Sequence, residues 1–119
     1  MKTKIIVSVL LSAALLMISS KGYSQLFSTK LKVTVIDGLG NFTEGAAVTL
    51  YTSIDDYRSN QNAVMAGETD EKGRVKFKDL EQIVYFIDVR KDDKNNNGQG
   101  VQTGPIEKGK VNKVNIVIE

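Results

Sequence analysis

The sequence predicts an all-β fold, a single sandwich of six or seven short strands. Three observations predict it. The chain has 119 residues, which is enough for one domain. Beyond residue 24, short segments of alternating apolar and polar residues are separated by turn residues every 8–12 positions, and no segment has the 3.6-residue period of a helix. This pattern is typical of a β-sandwich.

The first 24 residues read as a signal peptide. Lys2 and Lys4 precede a 14-residue run, 5–18, in which only two serines are polar, and small residues stand at Gly22 and Ser24. We predict cleavage after Ser24, so that 1–24 is removed and 25–119 forms the exported domain, either periplasmic or secreted. The alternative is an uncleaved membrane anchor, but a spanning helix needs roughly 20 apolar residues.

The composition excludes several kinds of chemistry. The chain has no His, Cys or Trp. Histidine-dependent catalytic relays, His-ligated zinc sites, disulfides and thiolate nucleophiles are therefore excluded. Removing a leader with three lysines and no acid leaves 13 bases against 14 acids, a net charge of −1. The exported domain thus has no overall positive field for nucleic acid.

The first three predicted strands are 31–37, 47–52 and a weaker one at 62–68. Gly, Asp and Asn residues at 37–41 provide the first turn. The polar stretch 53–61 is predicted as a loop with a short helical turn around Tyr57. The alternating apolar positions of these strands are Leu31, Val33, Val35, Val48, Leu50, Val64 and Ala66.

The last three predicted strands are 74–78, 83–90 and 110–119. A tight turn at 69–73 precedes the first of them. The segment 83–90 is the most apolar of the domain and is predicted to be central, and a long loop, 91–109, follows it. The predicted inward residues are Val75, Phe77, Tyr85, Ile87, Val89, Val114, Ile116 and Ile118.

Three blocks carry a family resemblance: LKVTVIDGLG at 31–40, EGAAVTLY at 44–51 and GETDEKGRVKF at 67–77. With Leu80 and YFIDVR at 85–90, they resemble the carboxypeptidase regulatory-like domain, a small transthyretin-like Greek-key sandwich. The resemblance implies a non-catalytic accessory module, with 69–73 as a hairpin turn. The leader and the last strand also look like those of small exported proteins of the Bacteroidota.

A calcium site is one candidate functional feature. The segment 93–98, DKNNNG, matches the opening of an EF-hand loop, with ligand oxygens at Asp93, Asn95 and Asn97 and the sharp turn at Gly98. The last loop position, however, falls on Gly104 and not on a bidentate Glu. The alternative is a solvated turn held by Asx hydrogen bonds.

A basic stripe is a second candidate, formed by Lys72, Arg74, Lys76 and Lys78. It could contact an anionic glycan or a lipid head group. The alternative is an outward sheet face, or an edge strand on which lysines oppose aggregation.

Two further constellations are weaker. Phe42, Tyr51 and Tyr57 could form a sugar-stacking platform, although aromatic residues of a small sandwich more often pack in the core.

Some related surface sandwiches cross-link a strand lysine to an asparagine of the last strand. The residues here would be Lys32, with Asn112 or Asn115 as acceptor and Glu68 as catalyst. That reaction needs a buried neutral amine, and alternation turns Lys32 outward.

Together these observations predict a non-catalytic exported module that acts through binding or assembly in the cell envelope. Its partner would be a protein or an envelope glycan, with no nucleic acid, no cofactor and no membrane span in the mature chain. One alternative is a calcium-stabilised binding module that uses the 91–109 loop. A His-free hydrolase is less favoured, because no acid pair stands where one pKa would be raised. The histidine-dependent purine-pathway hydrolase of transthyretin-like folds is excluded.

Overall fold

The computed structural model describes residues 28–119, which form two β-sheets and one short helix. The predicted signal segment, 1–24, lies outside the described residues. The elements are β1 (Lys30–Asp37), β2 (Ala47–Tyr51), α1 (Ile54–Ser59), β3 (Met65–Glu68), β4 (Arg74–Phe77), β5 (Phe86–Lys91), β6 (Lys94–Asn95) and β7 (Val111–Ile118).

The seven strands divide into a three-stranded and a four-stranded sheet. The first has the order β4-β1-β7, and the second has the order β3-β2-β5-β6. All pairs are antiparallel except β1 and β7, which run parallel from Lys30 opposite Val111 to Asp37 opposite Ile118. The predicted all-β sandwich is confirmed.

The core lies between the two sheets and is built from the alternate residues of their strands. Removing these side chains from water provides the main stabilisation, about 25 cal/mol for each Å² of apolar surface. All the strongly predicted inward positions of β1, β2, β5 and the end of β7 belong to it. The buried cluster consists of Leu31, Val33, Val35, Ala46, Val48, Leu50, Phe77, Tyr85, Ile87, Val89, Ile106, Ile116 and Ile118.

The third strand differs from the prediction in its length and in its inward face. It begins at Met65, and Val64 and Ala66 are exposed. Met65 pairs with Leu50, and Gly67 pairs with Val48. Paired residues share a face of the sheet, so Met65 and Gly67 lie on the core side. The predicted inward positions are therefore wrong by one residue. Because successive side chains of a strand point to opposite faces, a shift of one residue exchanges the inward and outward sides.

The segment 69–73 is a tight turn, but it is not a hairpin turn. The Asp70 carbonyl accepts a hydrogen bond from the Gly73 amide at 2.9 Å. However, β3 pairs with β2 and β4 pairs with β1. The turn therefore carries the chain from one sheet to the other. The carbonyl of Gly73 accepts from the amide of Val35 at 2.7 Å, which attaches the turn to β1.

The segment 91–109 is not a plain loop. Its first part forms the β5–β6 hairpin, and its middle part lies along β5. There the Ile87 amide donates to the Val101 carbonyl at 2.6 Å, and the Thr103 amide donates to the Tyr85 carbonyl at 2.8 Å. Ile106 then enters the core. Strand β5 thus has a neighbour on both sides, which confirms its central position.

The predicted helical turn is present as α1. Its N-terminus is capped by Ser53, whose Oγ accepts from the Asp56 amide at 3.1 Å, as serine commonly does at this position. The helix contacts β2 and β5. It therefore covers part of the outer side of the four-stranded sheet.

Candidate functional site

Positive side chains from three segments gather on the outer side of the three-stranded sheet. Because Leu31 and Val33 face the core, the residue between them on β1 faces outward, and the same alternation applies to β4 and β7. We call this surface the basic face. It consists of Lys32, Arg74, Lys76 and Lys113 on the strands, together with Lys72 of the turn before β4, which lines a groove with Lys32 and Arg74.

The centre of the basic face is a row of three lysines. In the strand registers, Lys32 of β1 stands opposite Lys76 on one side and opposite Lys113 on the other. Neighbouring strands lie about 4.8 Å apart. The row therefore places one lysine Cα atom about every 4.8 Å across the sheet.

One acid, Asp70, lies at the basic face: hydrogen bonds from the amides of Arg74 and Lys72 lower its pKa, and the positive charges of the same two residues lower it further. Within residues 28–119 the ion pairs are Arg90–Asp88 and Lys110–Glu107, and no residue of the basic face takes part in one. Like charges directly opposite each other destabilise a sheet. An unpaired row of this kind is a place where an anion would be stabilised.

The ionisation of Lys32 reflects this crowding. Loss of hydration lowers the pKa of Lys32 below its ordinary value. The positive charges of Lys113, Arg74 and Lys76 lower it further. Each charged neighbour thus affects the pKa of the lysine at the centre of the row.

A groove of about 510 Å³ lies beside the lysine row. It is lined by Lys32, Thr34, Phe42, Lys72 and Arg74. The Phe42 side chain is 65% exposed, although its backbone forms a β-bridge with Ile36. The groove therefore combines three cations, a hydroxyl group and an open aromatic ring.

The turn before Phe42 is held by its own hydrogen bonds. The Asp37 Oδ1 atom accepts from the amide of Leu39 at 2.9 Å and from that of Asn41 at 3.0 Å. These bonds lower the pKa of Asp37, the Asn41 amide having the largest effect. The aromatic ring is thus carried by an ordered turn.

The predicted basic stripe is only part of this surface. Lys72, Arg74 and Lys76 lie on the face, whereas Lys78 follows the end of β4 beside Lys30 and Ser28. Lys113 was not part of the predicted stripe. The alternation of β7 marks that residue as outward, but nothing local indicates that β7 pairs with β1.

The predicted calcium ligands lie in and next to the β5–β6 hairpin. Asp93 is exposed in its turn. The Asn95 Oδ1 atom accepts from the Asn97 amide at 3.0 Å, and the Asn97 Oδ1 atom accepts from the Tyr57 hydroxyl at 3.1 Å. In the described part of the chain, no group of three or more Asp and Glu side chains is placed to hold a metal ion. Calcium binding stays a prediction.

The three aromatic residues proposed as a platform are not brought together. Tyr51 is buried and makes an edge-to-face contact with Tyr57, with ring centroids 6.0 Å apart. Phe42 lies beside the basic face, next to β1 of the other sheet. Tyr51 and Tyr57 pack against each other on the four-stranded sheet. Of the three rings, that of Phe42 is the one largely exposed to a ligand.

The residues proposed for a lysine–asparagine cross-link are also separated. Lys32 lies on the outer side of the three-stranded sheet, whereas Glu68 is an exposed residue of β3 in the other sheet. The amide of Asn112 is engaged with backbone groups of Lys30 and Glu107. Asn115 is exposed on β7. The arrangement lacks the buried amine and adjacent acid that the reaction needs.

Comparison with solved structures relates the chain to domains of larger proteins. It is similar to the Bacillus anthracis TIE protein, with 25% identity, a TM-score of 0.58, and coverage of 76% of this chain and 17% of that one. A streptococcal ancillary pilin has 16% identity and a TM-score of 0.58, with 77% and 32% covered. A double mutant of the shaft pilin SpaA from Lactobacillus rhamnosus GG has 14% identity and a TM-score of 0.53, with 76% and 49% covered.

These comparisons support the architecture. The chain spans less than half the length of each of the three structures. No protein-family model and no curated protein sequence matches it. In residues 28–119, none of the helices has the length and apolar character needed to cross a membrane. The protein has the β-sandwich fold found in domains of pilins and of the TIE protein.

Proposed function

We propose that this protein is an exported, non-catalytic β-sandwich module of the cell envelope, and that it acts by binding or assembly through the basic face. One observation carries the proposal: five cations from three segments of the chain share one surface, and none of them forms an ion pair within residues 28–119. Such a surface attracts a partner of complementary charge.

The likeness to domains of an ancillary pilin and of a shaft pilin supports a role in assembly or attachment. The predicted leader, 1–24, and the resemblance to the carboxypeptidase regulatory-like domain support export and an accessory role. Since many activities share this fold, the argument for the contact surface rests on the basic face itself.

The test measures cosedimentation of the purified protein with the envelope fraction of its native cells. We expect binding that weakens between low and physiological salt, because exposed charges are screened over about 8 Å at 0.15 M. The variant Lys32→Glu/Lys76→Glu/Lys113→Glu removes the lysine row, and we expect it to remain in the supernatant.

The matched control makes the same charge change elsewhere. Arg58, Lys94 and Lys108 are exposed and lie outside the basic face, so Arg58→Glu/Lys94→Glu/Lys108→Glu has the same net charge as the first variant. We expect this control to sediment like the wild type. Equal loss in both variants would show that only net charge matters, and would overturn the assignment of the surface.

A further inference from the structure

The groove beside the lysine row combines three kinds of chemistry. Lys32, Lys72 and Arg74 offer positive charge, Thr34 offers a hydroxyl, and Phe42 offers an open aromatic ring. Hydrogen bonds hold the turns on both sides of the groove. The backbone on both sides of the groove is therefore ordered before a ligand arrives, which lowers the entropic cost of binding.

We propose that this groove and the adjoining lysine row bind an acidic polysaccharide, with a carboxylate-bearing sugar in the groove. The inference rests on the proposed function, because it names the partner class of the same face. A uronate has an apolar ring side for Phe42, hydroxyl groups for Thr34, and a carboxylate for Arg74 or the lysines. Arg74 can hold a carboxylate through two hydrogen bonds.

The spacing of the lysine row fits such a polymer. The lysine Cα atoms recur about every 4.8 Å across the strands, which is close to the length of one pyranose unit. An extended polymer of uronates that lies across the strands can therefore contact all three lysines.

One acid at the basic face, Asp70, offers a hydrogen-bond acceptor to a sugar. Asp70 lines a second groove, of about 250 Å³, together with Lys32, Arg74, Val75 and Lys76. Its Oδ1 atom accepts from the amides of Lys72 and Arg74. The other carboxylate oxygen of Asp70 can accept a hydrogen bond from a sugar hydroxyl.

The experiment titrates the full chain with defined ligands, in chelator, by calorimetry. The first ligand is oligogalacturonate. The second is the same oligomer with its carboxyl groups methyl-esterified, which keeps the sugar ring and removes the charge. The other two are poly-L-glutamate and vesicles of phosphatidylglycerol. We expect binding of oligogalacturonate and at least tenfold weaker binding of the other three.

Two variants locate the ligand. Lys32→Gln/Lys76→Gln/Lys113→Gln should weaken oligogalacturonate binding about tenfold, at a modest contribution from each exposed ion pair. Phe42→Ala should weaken it about two- to tenfold through the loss of stacking. Leu39→Ala is the matched control, since Leu39 is 89% exposed on the same turn and does not line the groove. Thermal unfolding verifies that each variant is folded.

The outcomes separate this inference from the proposed function. If the lysine row is needed for envelope binding and oligogalacturonate does not bind, the inference is overturned while the proposed function stands. Equal or tighter binding of poly-L-glutamate or of the vesicles also overturns it. Undiminished binding by Phe42→Ala contradicts a sugar in the groove. Failure of the wild type to bind envelopes would instead overturn the proposed function.

Discussion

At the scale of single residues, Asn96 shows how one side chain can replace part of a strand. Its side chain is fully buried. Its Oδ1 atom accepts from the Val89 amide at 3.0 Å, and its Nδ2 atom donates to the Ile87 carbonyl at 2.8 Å. Strand β6 ends at Asn95. The side-chain amide thus continues the hydrogen-bond ladder of β5 where the backbone of β6 has ended.

We therefore expect Asn96→Ala to destabilise the fold strongly. It leaves one buried amide and one buried carbonyl without partners, at roughly 1–3 kcal/mol for each group. The free energy of unfolding, measured by urea denaturation, should fall by about 3 kcal/mol. Asn97→Ala is the control, because Asn97 is exposed. Similar losses in both variants would contradict this role for Asn96.

Lys32 provides a prediction about pH. Its pKa is lowered from the ordinary 10.5, so the folded state disfavours the charged amine more than the unfolded state does. This penalty is present at neutral pH and disappears as the pH rises above 10.5, where the amine is neutral in both states. We expect Lys32→Gln to raise the midpoint of thermal unfolding at pH 7.

The increase in the unfolding midpoint caused by Lys32→Gln should shrink steadily as the pH rises to 10.5 and above. The measurement is a series of calorimetric scans from pH 7 to pH 11. Lys108→Gln serves as the control, since Lys108 is exposed outside the basic face. A stabilisation by Lys32→Gln that does not depend on pH would contradict the dehydrated and repelled charge of Lys32 as its cause.

At the scale of elements, the 91–109 segment differs most from the structure that its sequence predicts. Its composition of Asn, Gly and charged residues is that of a loop. In the fold it provides β6, the ladder beside β5 and the buried Ile106. These roles depend on β5 having a free edge to cover. A local pattern contains no information about such an edge.

The calcium hypothesis for this segment can be tested directly. It predicts that excess calcium raises the midpoint of thermal unfolding relative to chelator, and that Asp93→Ala abolishes the rise. A ligand at about 100 times its dissociation constant adds roughly 2.7 kcal/mol to stability. Magnesium at the same concentration is the control for ionic strength. Coincident curves with calcium and with chelator would contradict the hypothesis.

Strand β3 shows why weak alternation misleads. Val64 and Ala66 suggested the inward positions, yet Gly67 faces the core. A Cβ atom at Gly67 would lie 3.0 Å from the Val75 side chain and 3.6 Å from that of Phe77. The two larger residues occupy the space that a side chain would need. Glycine at an inward position is a consequence of packing between the sheets, which hydrophobicity alone does not indicate.

At the scale of the whole molecule, Gly73 lies where the chain passes from one sheet to the other. Its φ is +71°, and a Cβ atom there would lie 2.6 Å from the Val35 carbonyl oxygen and 3.1 Å from the Thr43 amide nitrogen. Those neighbours are backbone atoms of β1 and of the segment leading to β2. A side chain at this position would push the turn away from the backbone of Val35 and Thr43.

We expect Gly73→Ala to lower the free energy of unfolding by about 3 kcal/mol. The left-handed backbone accounts for roughly 1–2 kcal/mol, and steric overlap in a packed site adds a similar amount. Gly40→Ala isolates the first part, because Gly40 has φ +86° and no atom within 4 Å of the added Cβ. Equal losses in the two variants, measured by urea denaturation, would contradict the overlap.

The amino-acid sequence by itself determined where most strands lie and which side of each is apolar. The inward residues of β1, β2, β5 and the end of β7 follow from alternation, which is a local property with a period of two residues. It also determined that Lys32, Arg74 and Lys76 point outward. The same alternation places Lys113 on the outer side of β7.

Only the tertiary structure decided which strands become neighbours. The parallel pairing of β1 with β7 places Lys113 beside Lys32, and the crossing at 69–73 places β4 on the other side of β1. The basic face and its groove exist because of this parallel pairing and this crossing between the sheets. Pairing is decided by how both sheets together bury their apolar sides and satisfy their backbone hydrogen bonds, and residues far apart in the chain contribute equally to that balance.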